Sequence, residues 1–202
     1  MPDLTSAPLT LVLVALAGYL LGSIPFGIVM ARLFGLGDLR TIGSGNIGAT
    51  NVLRTGNKLA AFLTLILDAG KGGIAVIVAR MLVGEDAAQM AGFAAFLGHC
   101  YPVFLGFKGG KGVATWIGTL LALAWPLGLA ACGIWLAAAV LMRISSLAAL
   151  LAAALSPLWA YMLGLPHVLA LSAALALLIF YRHRSNISRL IAGDEPRIGK
   201  KS

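Results

Sequence analysis

Charge is what this sequence has least of. Of 202 residues, 11% are Asp, Glu, Lys or Arg, where a soluble domain carries ~25%. The deficit excludes an ordinary water-soluble globule. Acid is scarcer still, with seven Asp and Glu against fifteen Lys and Arg and a formal net charge of +8. Such a balance can mark a nucleic-acid protein. Here the aromatics are only 8% and the basic residues sit in short loops between apolar runs. That pattern fits a lipid bilayer and anionic or phosphate-bearing partners, with no nucleic acid.

Other absences narrow the chemistry. Cys100 and Cys132 lie in or beside apolar segments and form no CxxC pair, so both read as free thiols without a metal role. No His, Cys or carboxylate cluster has metal-ligand spacing, which argues against a metal-dependent phosphotransferase. There is no G-x-S-x-G elbow. There is no His-x4-Asp pair either, because Phe104, Ser172 and Ser188 stand five residues after His99, His167 and His183. The start carries Asp3 and no basic n-region, so no cleaved signal peptide is expected.

Apolar runs are what the chain has in quantity. Seven are expected as spans: Leu9–Ala31, Leu59–Val83, Ala87–Leu105, Val113–Ala124, Pro126–Met142, Leu147–Leu163 and Val168–Tyr181. Several fall short of the ~20 residues of a straight span, the fourth most of all. The loops after runs one, three, five and seven hold Arg32, Arg40, Arg54, Lys58, Lys108, Lys111, Arg143, Arg182, Arg184, Arg189, Arg197, Lys200 and Lys201. The opposite ends hold Asp3, Glu85, Asp86 and His167, with Arg80 the one cation beside them. The positive-inside rule then puts the N-terminus outside and the C-terminus in the cytosol, a parity that seven spans satisfy. The expected fold is one all-α, seven-transmembrane-helix bundle over 1–202. Asp68 and Lys71 interrupt the second run with Gly70, Gly72 and Gly73 around them. They read either as an ion pair facing the bundle or as a lysine reaching a cytosolic site.

Three polar islands remain, all on the cytosolic side. The first, Ile42–Arg54, gathers Ser44, Asn46, Thr50, Asn51 and Arg54 among glycines. Arg54 can hold a phosphate bidentately; Ser44 and Asn46 are also natural helix N-caps. The second contains Gly109-Gly110-Lys111-Gly112 just before an apolar helix. Glycine backbone, a lysine and a helix N-terminus together read as a phosphate cradle, or else as a tight turn with a snorkelling lysine. It is no Walker A loop, since Gly112 follows Lys111. The third holds Arg182, His183, Arg184, Asn186 and Arg189. His183 suits general acid–base or hydrogen-bonding work near neutral pH, while Arg182, Arg189, Lys200 and Lys201 fit a stripe on anionic lipid. His99 reads as a structural hydrogen-bonding residue, and His167 as unrelated to the site.

The three islands, in this order and at these intervals, resemble the acyl-phosphate:glycerol-3-phosphate acyltransferase (PlsY) family of bacterial inner membranes. The specific matches are Gly43-Ser44-Gly45-Asn46…Gly48-Ala49-Thr50-Asn51…Arg54, then Gly98-His99…Pro102…Phe104…Gly109–Thr115, then His183…Asn186-Ile187…Arg189-Leu190 before Glu195. Ile47 departs from the proline frequent in the family. The resemblance implies a multi-pass inner-membrane enzyme with its site facing the cytosol. It implies transfer of an acyl chain from acyl phosphate to the 1-hydroxyl of glycerol-3-phosphate, without a cofactor, in a chain functional as a monomer. By motif it implies that Ser44, Arg54, Lys111, His183 and Asn186 line the site. Gly109, Gly110 and Gly112 would form its phosphate loop, Asn46, Thr50, Asn51 and Ser145 would also bind substrate phosphate, and Glu195 would be structural. An anion transporter and a scaffold for lipid-synthesis complexes are the rival readings. The one-sided islands disfavour the first, and the unexplained Asn46, Asn51 and His183 disfavour the second.

Overall fold

The computed structural model describes residues 3–199, so Lys200 and Lys201 lie outside the described residues. Among these residues there is no strand. The helices are α1 (Pro8–Gly22), α2 (Phe26–Leu33), α3 (Ala49–Leu53), α4 (Lys58–Leu82), α5 (Glu85–Cys100), α6 (Val113–Leu123), α7 (Trp125–Met142), α8 (Ser145–Met162), α9 (Pro166–Arg182) and α10 (Arg184–Ala192). Short 3-10 turns cover Leu39–Thr41 and Val103–Leu105. Each of the seven expected runs contains α-helix. Four stretches are long and apolar enough to cross a membrane, Pro8–Leu33, Lys58–Leu82, Trp125–Met142 and Ser145–Met162. The pair α9 and α10, bent by 60°, is long and apolar enough only when its two helices are taken together.

Two boundaries differ from the expectation for physical reasons. The first run is two helices, broken at residues 23–25. Pro25 has no N–H to give and disfavours helical geometry at Ile24. The third run stops at Cys100, before Pro102. The second run, expected to be interrupted, is instead one unbroken helix of 25 residues. Its Asp68 and Lys71 are both 2% exposed and form an ion pair of 2.8 Å. Lys71 Nζ also donates to the Ile24 carbonyl, at 2.8 Å, which the break between α1 and α2 has freed. So the pair faces the bundle, and the lysine serves the broken helix.

Close helix approach depends on small residues, as in other membrane bundles. Gly18 and Gly22 of α1 lie against Ala91 and Ala95 of α5, and a Cβ on Gly22 would come within 2.1 Å of the Ala95 carbonyl. Gly72 of α4 packs on the Thr115 carbonyl and Gly118 of α6 on that of Ala69. A core containing Phe96, Trp116, Leu120, Leu127, Leu175 and Ile179 fills the centre. Leu, Val and Ile side chains such as Leu13, Ile66, Leu141 and Leu177 remain exposed, as a lipid-facing surface requires. Arg80 pairs with Glu85 at 2.7 Å and donates to the Ala122 carbonyl, capping α6. Its position against the charge asymmetry therefore has a structural use.

Candidate functional site

The first island folds around Asn51. This residue is 1% exposed. Its Nδ2 donates to the Leu39 carbonyl at 2.7 Å, and its Oδ1 accepts from Ser44 N–H and Arg54 Nη1, each at 3.2 Å. Gly43, at φ 51°, brings the backbone so close that a Cβ would meet Arg54 and Asn51 at 2.6 Å. Asn51 is therefore a clip that aims Arg54 and Ser44, with both ends of its amide engaged inside the protein. Asn46 Oδ1 accepts from the Ile47 N–H at 3.0 Å, closing a local turn. Thr50 Oγ1 lies 3.2 Å from Ser145 Oγ, which joins the island to the start of α8.

The second island lies over the end of α5. Gly110 N–H donates to the His99 carbonyl at 3.1 Å. A Cβ on Gly109 or Gly110 would collide with His99 at 2.2 Å, and one on Gly112 with the Phe96 ring at the same distance. Gly112 has φ 81° and is the N-cap of α6. These three positions are glycine because the loop is pressed onto a buried floor. Among the described residues no protein group accepts from the Lys111 or Gly112 N–H, and the first-turn amides of α6 follow them. The open backbone donors are thus at Lys111 and Gly112; that of Gly110 is occupied.

The third island closes the site. His183 caps α9 and is 2% exposed. Its Nδ1 lies 2.8 Å from the Ile179 carbonyl. A carbonyl only accepts, so Nδ1 carries the hydrogen and neutral His183 presents Nε2 as an acceptor. Glu195 joins α8, α10 and the tail. It accepts from Ser146 Oγ at 2.7 Å and from Asn186 Nδ2, and it pairs with Arg189 Nε at 2.7 Å. Burial would raise the Glu195 carboxyl, but these hydrogen bonds hold it below the usual carboxylate range. Two polar atoms beside it stay buried and unpartnered, Asn186 Oδ1 and Arg189 Nη2.

Lys111 is where the islands meet. Burial pushes its ammonium down to about 8, Glu195 pulls it up, and Arg189, Arg182 and Arg54 push it further down. Burial likewise lowers the Arg54 guanidinium, with Glu195 opposing and Arg189 assisting. The charges of Lys111, Glu195 and Arg182 also act on His183. Three arginines thus act on Lys111 against a single carboxylate, Glu195, and Lys111 has no hydrogen bond or ion pair among the described residues. A half-buried excess of positive charge with open backbone donors is an arrangement for anions. No group of three His, Cys, Asp or Glu that could hold a metal ion occurs among the described residues.

A family model described as "Glycerol-3-phosphate acyltransferase" matches residues 12–193. The chain belongs to that family. Among its relatives, the glycerol-3-phosphate acyltransferase of Jannaschia sp. (strain CCS1) is 74% identical over 201 residues, covering 100% of this chain and 99% of the relative. That of Dinoroseobacter shibae is 67% identical with the same coverage. A crystal structure of PlsY, described as an integral membrane glycerol 3-phosphate acyltransferase in its glycerol 3-phosphate form, superposes with a TM-score of 0.88 at 43% identity. It covers 94% of this chain and 96% of the other. The lysophosphatidic acid form gives 0.85 at 40% identity.

Within this acyltransferase framework the structure corrects the reading of two arginines. Arg182 and Arg189 were expected on anionic lipid, but both turn inward. Arg189 holds Glu195. Arg182 donates to the carbonyls of Gly109, at 3.1 Å, and Gly110, at 2.9 Å, while stacking 4.8 Å from the Tyr101 ring centroid. Of the neighbouring serines at the start of α8, Ser145 meets Thr50 and Ser146 is the one that binds Glu195. Spacing of residue types carries no signal for these contacts. Their partners are backbone carbonyls, or one carboxylate that stands six positions from Arg189 and 49 from Ser146.

Proposed function

We propose that this protein transfers an acyl chain from acyl phosphate to the 1-hydroxyl of glycerol-3-phosphate, forming lysophosphatidic acid and inorganic phosphate. The observation that carries the reading is the cationic surplus of Arg54, Lys111 and Arg182, left over once Arg189 has paired with Glu195, beside the open Lys111 and Gly112 amides. Both substrates bear phosphate, and two anions must approach closely. The glycerol 3-phosphate and lysophosphatidic acid forms of the PlsY neighbour supply the acceptor and product for this proposal. Acyl phosphate is chosen as donor because it is a mixed anhydride. It needs positioning and charge stabilisation more than a nucleophile.

In the proposed step the 1-hydroxyl attacks the acyl carbonyl, and the carbonyl–phosphate C–O bond breaks. Lys111, Arg54 and the loop amides hold the two phosphates. Ser44 is a phosphate ligand, and Thr50 and Ser145 line the same side. Asn186 Oδ1 and His183 Nε2 are free acceptors for hydroxyl groups. The attacking hydroxyl donates to His183 Nε2, and its proton leaves with inorganic phosphate. No metal or cofactor takes part, and one chain suffices. The membrane supplies the acyl chain from its own plane. In this reading all seven apolar helices traverse the inner membrane, with the N-terminus outside and the three islands in the cytosol.

Purified protein in detergent tests the reaction. Acyl phosphate plus glycerol-3-phosphate is expected to release phosphate, in the presence of a chelator and without any turnover of acyl-CoA. Turnover restricted to acyl-CoA, or lost on chelation and restored by Mg²⁺, contradicts the reading. The same preparation incubated with acyl phosphate alone is expected to leave the Ser44 peptide unmodified. An acyl mass there that chases into product would replace direct transfer by a covalent route. For topology, a cysteine placed beside Lys111 in a chain lacking Cys100 and Cys132 is expected to resist an impermeant label added to intact cells.

A further inference from the structure

The contacts of Arg182 give it a task that a lipid-facing arginine does not have. Its Nε and Nη2 donate to the Gly110 carbonyl at 3.2 and 2.9 Å, and Nη2 reaches the Gly109 carbonyl at 3.1 Å. The guanidinium is held in plane on Tyr101, 4.8 Å from its ring centroid. Tyr101 is fixed in turn by the Tyr19 hydroxyl, which donates to its carbonyl at 2.6 Å. On the other side of the loop His99 accepts from Gly110 N–H at 3.1 Å, and its ring leaves no space beside the Gly110 Cα. His99 is 6% exposed, with Nδ1 3.5 Å from Asp68 Oδ1, so this floor belongs to the buried charge cluster of α4.

Peptide geometry turns this grip into a statement about the site. A trans peptide points its C=O and its N–H in opposite directions. The 109–110 peptide has its oxygen on Arg182 and its N–H on His99, so it is fixed at both ends. The 110–111 peptide has its oxygen on Arg182, which sends the Lys111 N–H away from the guanidinium. That N–H has no protein acceptor. We propose that Arg182 is a positioning residue: by holding the Gly109 and Gly110 carbonyls against the His99 floor, it presents the Lys111 amide to the substrate phosphate. It does so without touching substrate. The proposal rests on the acyl-transfer reading for its consequence, though not for the clamp itself.

Hydrogen–deuterium exchange and kinetics on the full chain in detergent separate the two. Arg182→Lys keeps the charge and loses the bidentate grip. In ligand-free protein, amides of the 106–112 segment are expected to exchange on the order of tenfold faster in Arg182→Lys, with α5 and α9 unchanged. Its kcat/KM is expected to fall about 10- to 100-fold, the scale of one or two charge-assisted hydrogen bonds. Arg182→Ala is expected to recover part of the loss in added guanidinium but not in added ammonium. If Arg182→Ala does not fold, Arg182→Lys decides alone. Unchanged exchange with reduced activity overturns the proposal, because Arg182 would then act on substrate directly. Faster exchange with unchanged activity overturns it as well. If the wild-type protein transfers no acyl group, the functional reading fails, and the exchange experiment still judges the clamp.

Discussion

This protein holds two buried clusters of charge, and they are built in opposite ways. Within the bundle, Lys71 has Asp68 at 2.8 Å and the Ile24 carbonyl at 2.8 Å, with His99 closing the group. Every strong charge there has a protein partner. At the three islands, Lys111 has none, and Arg54, Arg182 and Arg189 crowd it with only Glu195 in opposition. A buried ion that is paired is costly to unpair, and one left in surplus needs a partner from outside. The difference teaches that burial of a lysine is not by itself a sign of function. Lys71 is the more deeply buried of the two, and the proposed chemistry belongs to Lys111.

The largest effects come from emptying each cluster. Lys111→Ala or Arg54→Ala is expected to reduce acyl transfer by ~2–5 kcal/mol, roughly 30- to 5,000-fold, with thermal stability nearly unchanged. Lys71→Met leaves Asp68 buried without its partner. It is expected to cost about 3–5 kcal/mol of stability, while the folded fraction keeps activity within about threefold of wild type by this comparison. Activity assays beside thermal unfolding curves check both. The opposite pattern, with Lys71→Met inactive but stable, would break the contrast.

A smaller effect sharpens it through pH. The Lys111 ammonium, lowered by burial to about 8, is charged below that pH and loses its proton as pH rises through it. Phosphate binding therefore weakens on the alkaline side. The kcat/KM for glycerol-3-phosphate is expected to fall about tenfold per pH unit above about 8. The kcat should fall less, since bound phosphate restores the proton. Lys111→Arg, charged throughout, is expected to have a lower but flat profile.

The sequence made the division between these clusters only half legible. The islands announce themselves because polar residues beside lipid are costly, and so Ser44, Arg54, Lys111, His183 and Asn186 can be picked out by type and place. Asp68 and Lys71 are equally conspicuous for the same reason, and composition does not distinguish a paired lysine from a surplus one. Pairing is a matter of what stands opposite, and here that includes the Ile24 carbonyl released by Pro25. The inward turn of Arg182 was illegible for the same cause. The seven helical runs were legible because apolar length is a local property. The break at residues 23–25 was missed even though Pro25 is in plain view, since the apolar pattern runs straight through it.

The smallest effects concern the helix that carries the paired cluster. Gly118 sits where a Cβ would approach the Ala69 carbonyl to 2.0 Å, whereas Gly70, one position on from Ala69, faces open space. Gly118→Ala is expected to destabilise by about 1–3 kcal/mol. Gly70→Ala is expected to be neutral or to add up to ~1 kcal/mol of helix propensity. Unfolding midpoints of the two variants check this, and equal losses at both would show that α4 and α6 do not pack as described.

The contrast between a paired and a surplus lysine is tested most directly by binding. Titrate glycerol-3-phosphate by calorimetry into detergent-purified wild type, Lys71→Met and Lys111→Met, with inorganic phosphate as competitor. The wild type and Lys71→Met are expected to bind with similar affinity and to be displaced by phosphate. Lys111→Met is expected to lose binding at least ~30-fold, the lower end of the range for one buried charged partner. Binding by Lys111→Met as tight as the wild type, or lost instead in folded Lys71→Met, would contradict the assignment of the phosphate site to the surplus charge.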